Sequence, residues 1–517
     1  MSVFNNIFSK LFHIRSIGNI SPSFTANGQI YMKDNGSLYF INSSGTEYLL
    51  SSKLAVNIID YLFTKINTTS LNDESKFLDL TEVSKNGDLT VSGNSVTLNT
   101  TGTYFISYGI YIEDTSGTTV GSSPSAQSFI VLDSLQGTSH RRYAASENYL
   151  VSNSGNVTYA NMSSGIITIN SQTTAQLQLT TNTGGTITFS GVDDASNRYK
   201  IPHLSIKQIF NSSFTNAKFI RSAVLTSNIS SGVLSDASFI IIDSYNITNT
   251  SNIFTVTEDG FYYVQYNSEF DCNDNTITGT DPRIDTYIIK NNLDDISNPK
   301  YARNQASVIT DSGNLRYSNT SSDIIELNKN DELRLQIKQT TGSNTVSFSS
   351  TTDDKKTNLV LYKLEFINEQ NFVAEVSTAQ TPASGTRIVL PLTQVTSPND
   401  ITLSGNQISF ADAGTYLITY NIEMDGTGIL SDPTYETFFA INKSGTVTNA
   451  DERYGHISER LVTHAGNLRY STSKSVLIEI SSTDYIEWFF KQTSGTTINI
   501  SSANIDQRMR VSCSRIK

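Results

Sequence analysis

The sequence predicts an all-β chain, three tandem sandwiches behind an N-terminal stretch of different character. Apolar and polar residues alternate between turn clusters, as in Leu89-Thr-Val-Ser92, Ser95-Val-Thr-Leu98 and Asp331-Glu-Leu-Arg-Leu-Gln-Ile337, which is the pattern of antiparallel strands with one wet face. One set of landmarks occurs three times. Charged residues make up only 16 % of the chain, against about 25 % in an ordinary soluble protein, and Ser, Thr, Asn and Gly are abundant. Such a composition suits short strands and turns, and no convincing helical stripe runs through the repeats.

The first landmark is Gly102-Thr-Tyr-Phe-Ile-Ser-Tyr108, which returns as Gly260-Phe-Tyr-Tyr-Val-Gln-Tyr266 and Gly414-Thr-Tyr-Leu-Ile-Thr-Tyr420. Each is a turn glycine opening an aromatic, β-branched strand. The second is Gly155-Asn-Val-Thr-Tyr159, matched by Gly313-Asn-Leu-Arg-Tyr317 and Gly466-Asn-Leu-Arg-Tyr470, and the third is a glycine turn at Gly184, Gly342 and Gly495. The first and second landmarks lie 53, 53 and 52 residues apart, and the second and third 29 residues apart in every copy. A period of 158 and then 154 residues is a whole domain, longer than the 20–50 residue units of solenoids and propellers. Boundaries fall at residues 70–210, 211–368 and 369–517, near Phe210-Asn-Ser-Ser-Phe214 and Asn368-Glu-Gln-Asn371. Both junctions are short, so the domains are expected to sit nearly end to end.

These residues resemble the trimeric jelly rolls shared by tumour necrosis factor and the globular heads of complement-type proteins. Gly414-Thr-Tyr-Leu-Ile-Thr-Tyr420, preceded by the hairpin strand Gln407-Ile-Ser-Phe410, is similar to that family's glycine-led aromatic strand. Ile325 to Leu335 and Ile478 to Trp488 resemble its strand, Asp-bearing turn and strand, with Asp331 and Asp484 in the turns. The first copy departs from this by placing Thr174 where an Asp is expected. The resemblance, over residues 70–517, implies ten-strand-type jelly rolls whose inner-sheet aromatics pack around a threefold axis, and hence a homotrimer. Alternation supports it independently: Tyr104, Tyr262 and Tyr416 share one phase with Tyr108, Tyr266 and Tyr420, while Phe105, Tyr263 and Leu417 occupy the other. A sandwich buries one face of each sheet, so one set faces the core and the other a subunit interface.

Residues 1–50 read differently. Gly28-Gln-Ile-Tyr31 through the Asn35-Gly36 turn to Leu38-Tyr-Phe40 and on to Tyr48 predicts a β-meander. It is similar to the short meanders in the N-terminal parts of tailed-phage fibre and structural proteins. Ahead of it, Val3, Phe4, Ile7, Leu11 and Phe12 form a helical stripe suited to docking in a groove of a capsid or tail protein, or to a frayed terminus. Residues 51–69 are expected to form a short helix, with Ala55, Ile59, Leu62 and Ile66 on a trimeric coiled-coil seam or packed on a neighbouring domain.

The chemistry-bearing residues assemble no catalytic set, and no enzymatic activity, cofactor or bound metal is expected. None of the five histidines recurs at an equivalent place in all three repeats, and His456, Glu459 and His464 do not complete a zinc set. Asp271-Cys-Asn-Asp274 imitates a calcium loop, but Thr276 and Pro282 stand where its glycine and bidentate Glu belong. The alternative is a looser calcium site between jelly-roll loops, formed by Asp271, Asp274 and Asp281. Asp193-Asp194, Asp294-Asp295 and Asp353-Asp354 are adjacent pairs in turn-like segments, unlike carboxylates set across a sugar cleft. Cys272 and Cys513 lie in different repeats and read as reduced thiols. A net charge of −12 repels phosphate backbones. No apolar stretch reaches bilayer length, and the N-terminus has no signal-peptide core.

The expected function is that of a trimeric fibre or spike protein on a virion surface, at a capsid vertex, neck or tail. Residues 1–50 would attach it and the jelly rolls would project, with a host glycan or receptor met by the third domain. The alternative is a glycan- or receptor-binding adhesin, including a bacterial surface protein, presenting Tyr435, Tyr454, Tyr470 or Trp488.

Overall fold

The computed structural model describes residues 29–32, 38–41 and 47–51 and, between residues 61 and 516, the strands with their tight turns. Residues 1–28, 52–60 and the longer connecting loops lie outside the described residues. The chain forms two compact units, residues 1–58 and 59–517. In the first, Gln29–Met32, Leu38–Ile41 and Glu47–Ser51 pair antiparallel in order as the expected meander.

The second unit contains three jelly rolls, each an inner and an outer five-stranded sheet. In the first, the inner sheet runs Leu80–Asn86, Tyr61–Ile66, His203–Phe210, Gly102–Asp114, Val157–Ile169, and the outer sheet Leu89–Ser92, Ser95–Leu98, Thr173–Asn182, Ser125–Leu132, Tyr143–Tyr149. The other two repeat this order. Period-2 alternation makes the sandwich: along Gly102–Asp114, Tyr104, Ile106, Tyr108, Ile110 and Ile112 are buried in the core with Val96, Leu98, Leu177 and Leu179 of the outer sheet. At about 1.5–3 kcal/mol for each fully buried large side chain, such alternation is the main favourable term for each sandwich.

The jelly rolls do not sit end to end; they surround a common axis. The edge strand of each outer sheet pairs with the inner sheet of a neighbour: Glu147 with Ser318, Gln305 with Ser471, and Ser458 with Ala160. Three composite sheets result, each part inner sheet of one jelly roll and part outer sheet of another, and the ring closes within one chain. Short linkers produce this because the first and last strands of each jelly roll are neighbours in its inner sheet. A short linker therefore starts the next jelly roll beside the previous one.

Two further expectations are corrected. The predicted helix over 51–69 is a strand at Tyr61–Ile66, which pairs with His203–Lys207 and Leu80–Asn86, so the first jelly roll begins before residue 70. Thr64 and Ile66 are buried, and the Thr64 hydroxyl donates to Leu204 O at 3.1 Å. Of the four residues in that spacing only Leu62 and Ile66 fall within the strand, where residues four apart share a face as they do on a helix, and pairing with the last strand decides between the two. Leu62 and Ile66 thus belong to a sheet, while Ala55 and Ile59 lie outside the described residues. The second correction concerns the Asp-bearing turn. Asp331 Oδ2 accepts Asn328 N at 2.7 Å and Asp484 Oδ2 accepts Ser481 N at 2.8 Å, each closing an Asx-type turn. The residue at this place in the first repeat is Thr173, whose hydroxyl donates to Ser171 O, rather than Thr174. Thr174 instead matches Glu332 and Tyr485, whose backbone N–H groups bond to Asn291 and Asn442 as that of Thr174 bonds to Asp133.

Candidate functional site: the shared axis and its seams

The six repeat tyrosines fall on the core face. Tyr104, Tyr262 and Tyr416 are buried and donate to the carbonyls four residues earlier, Thr100, Glu258 and Asp412, at 2.6, 3.0 and 2.8 Å. Tyr108 donates to Ser128 O and Ala144 O at 2.9 and 2.7 Å, Tyr266 to Thr286 O and Ala302 O at 2.7 and 2.6 Å, and Tyr420 to Gly455 O. Ala144, Ala302 and Gly455 each sit at an outer-sheet bulge with φ of 49°, 47° and 61°, left-handed values that turn a carbonyl toward the hydroxyl. Burial pushes the Tyr263 hydroxyl up to about 12 and the Tyr416 hydroxyl up to about 12, so both stay neutral.

The opposite phase builds the axis. Phe105, Tyr263 and Leu417, one from each jelly roll, form a single buried cluster with Ile166 and Ile324, against which Leu477 packs. Phe105 and Tyr263 meet edge to face at 6.3 Å between centroids. Below this apolar plug lies a polar layer: Tyr263 donates to Gln265 Oε1 at 3.1 Å, Gln265 Nε2 donates to Ser164 O at 3.1 Å, and the Ser322 and Ser475 hydroxyls are 2.7 Å apart. The faces assigned from sequence to contacts between subunits are therefore covered inside one chain. Met162 of the first jelly roll also packs in the core of the third.

The seam between the second and third jelly rolls carries buried charge. Arg303 grips Asp285 through Nε to Oδ1 at 3.2 Å and Nη2 to Oδ2 at 3.0 Å, donates Nη1 to Asp506 O at 3.0 Å, and lies 3.6 Å from Glu423. Burial opposes its charge, but the surrounding Asp285, Glu423 and Asp506 outweigh that and hold the guanidinium ionised. Burial raises the Glu423 carboxyl to about 8, opposed by Arg303 and aided by the charges of Asp285 and Asp506. Glu423 lines a cleft of about 180 Å³ with Gln305, Asp425, Asn499 and Ser502. Higher in the seam, Lys474 donates to Asn319 Oδ1 at 2.6 Å. Sequence reasoning passed over Arg303, Glu423 and Lys474. Their signal was a charge at a buried phase of a repeat strand, since Glu423 shares the phase of Leu417, and Lys474 that of Ile478.

The aromatic platform of the adhesin reading is overturned for two of its residues. Trp488 is buried and donates Nε1 to Thr437 Oγ1 at 2.8 Å, and Tyr435 is buried with its hydroxyl 3.2 Å from Glu459 Oε2. Both fill the third core, because each outer-sheet strand turns one phase inward. Tyr454 and Tyr470 are partly buried against it. His456 is buried, and burial with nearby Arg453 and Arg387 pushes its pKa well below the usual value, an environment that repels cations. No group of three or more His, Cys, Asp or Glu side chains is placed to hold a metal among the described residues. Asp294 accepts the Tyr287 hydroxyl at 3.1 Å and pairs with Lys300. The Cys513 thiol is buried, which raises its pKa. Val3, Phe4, Ile7, Leu11, Phe12, Asp274, Asp281 and His464 lie outside the described residues.

No family model matches the chain, and no curated protein matches it. Among solved structures it is similar to murine APRIL, at 13 % identity and a TM-score of 0.22, covering 29 % of this chain and 100 % of that one. It is similar to Eiger TNF from S. frugiperda at 15 % identity and 0.21, covering 29 % and 93 %. A structure titled as the triple jelly roll fold and turret assembly in an archaeal virus matches at 13 % identity and 0.17, covering 86 % of this chain and 91 % of that one.

Proposed function

We propose that this chain is a non-enzymatic structural protein of a virus particle, attached through residues 1–50 and projecting its jelly-roll block from the virion surface. The observation that carries the reading is the closure of three jelly rolls around one axis by a single chain. Such a block presents threefold-related surfaces without needing three subunits. In the seam between the second and third jelly rolls Arg303 is paired with Asp285 and Lys474 bonds across to Asn319, in keeping with a block that holds its members together. A homotrimer of chains, expected from the sequence, would join through surfaces other than the glycine-led strands, whose two faces are both occupied. Contact with a host glycan or receptor at the third jelly roll would use surface other than Trp488 and Tyr435.

The test is incorporation. Particles are assembled with the full chain or with residues 1–50 deleted, purified, and probed for the protein. The deleted form is expected to fold, because residues 59–517 form a compact unit of their own, and to be absent from particles. Its presence on particles would overturn the attachment role, and absence of the full chain from them would overturn the virion reading.

A further inference from the structure

We propose that Lys474 and Asn319 condense spontaneously into an isopeptide bond that covalently closes the seam between the second and third jelly rolls.

The two residues stand on neighbouring central strands, Asn319 on Leu315–Leu327 and Lys474 on Leu468–Ile480. Lys474 Nζ donates to Asn319 Oδ1 at 2.6 Å and to Thr320 O at 3.1 Å, and Asn319 Nδ2 donates to Thr472 Oγ1 at 3.3 Å. The first contact holds the amine against the oxygen bonded to the carbon it attacks, so that a small shift of Nζ from Oδ1 toward Cγ starts the reaction. The amide is held from its nitrogen side by Thr472, so neither partner has far to move. Lys474 and Asn319 are 1 % and 5 % exposed, which keeps water from competing for the amide.

The surroundings favour the reactive forms. Burial lowers the Lys474 pKa to about 8, so a sizeable minority of the amine is neutral and nucleophilic near neutrality. Glu459, whose charge acts on Lys474, is buried, and burial raises its carboxyl. Its Oε2 accepts the Tyr470 hydroxyl at 2.6 Å and the Tyr435 hydroxyl at 3.2 Å. Its charge favours the ammonium while burial favours the free amine, and burial is the larger effect.

In the condensation Nζ forms a bond to Cγ of Asn319, giving a tetrahedral centre. A proton passes from Nζ to Nδ2, the Cγ–Nδ2 bond breaks, and ammonia leaves, taking up the proton that the lysine began with. Nothing is oxidised or reduced, and no co-reactant is consumed.

The pair is particular to one seam. Lys474 lies eight residues after Gly466, and the residues eight after Gly155 and Gly313 are Ser163 and Ser321. A ring closed by pairing at three seams would thus be tied covalently at the one joining its last two members.

The experiment is intact mass spectrometry of the purified full chain, followed by tryptic mapping after incubation at pH 8. The expected result is a mass lower by about 17 Da, the loss of ammonia, with the peptide Tyr317–Lys329 joined to Tyr470–Lys491 and no cleavage after Lys474. Lys474→Arg is expected to restore the full mass and the separate peptides. An unmodified mass with freely separating peptides in the wild-type chain would overturn the proposal, and it requires no variant to fold. A mass loss that persists in Lys474→Arg would also overturn it, by placing the ammonia loss elsewhere.

Discussion

Two residues that look alike in the sequence, such as Tyr262 and Tyr263, have opposite duties, one in a sandwich core and the other on the axis. The core tyrosines use their hydroxyls to satisfy backbone carbonyls that lie away from water, so their polar atom matters as much as their ring. Tyr266→Phe leaves Thr286 O and Ala302 O without that donor, and a loss of about 1–3 kcal/mol is expected in denaturation. The bulges make a paired prediction. Ala302 holds φ of 47°, a conformation costing an L-residue about 1–2 kcal/mol, so Ala302→Gly is expected to raise the melting temperature. Gly455→Ala is expected to lower it, because φ is 61° and a Cβ there would sit 3.1 Å from Tyr420 Cε1.

Among the elements, the glycine-led strands and their hairpin partners do the joining, and their chemistry changes along their length. Near the glycines they are apolar, in the middle they carry serines, and farther along come Glu269 and Glu423. Glu423 yields a pH prediction. Burial lifts its carboxyl from the ordinary value of 4.5 to about 8 on folding, so the folded chain binds this proton more tightly than the unfolded chain. The resulting stability is fully present below pH 4.5 and is lost as the pH climbs toward 8. Glu423→Gln keeps the neutral shape and removes the titration. Melting temperatures measured from pH 4 to 9 are expected to fall less steeply in the variant, and identical slopes would show that Glu423 titrates alike in the folded and unfolded chain.

At the scale of the molecule, the threefold contact is a folding contact rather than an association. Phe105 sits on the axis among residues of all three jelly rolls, and Phe105→Ala is expected to cost about 3–5 kcal/mol, the range for a large aromatic truncated in a packed core. Because partners on the axis belong to one chain, the drop in melting temperature relative to the unsubstituted chain is expected to be independent of protein concentration. A contact between separate chains would instead make the melting temperature rise with concentration. Scanning calorimetry at concentrations a hundredfold apart distinguishes these outcomes.

The sequence by itself determined the all-β class, the three copies, the glycine-led strands with some of their neighbours, and the two phases of each glycine-led strand. These follow from local alternation and from spacings such as Gly155 to Gly184, which a reader can count. Only the tertiary structure decided which phase faced the core, that the second face is covered by the same chain, and that Tyr61–Ile66 is a strand. A six-residue apolar run satisfies helical and strand spacing alike until a neighbour such as His203–Lys207 supplies hydrogen bonds. An apolar face likewise records that it must be covered without recording by what. The cover is set by the path of the chain, here by short linkers that start each jelly roll beside the one before. The same reason hid the Lys474 and Asn319 pair, since 155 residues separate them in sequence and only closure of the ring brings amine and amide together.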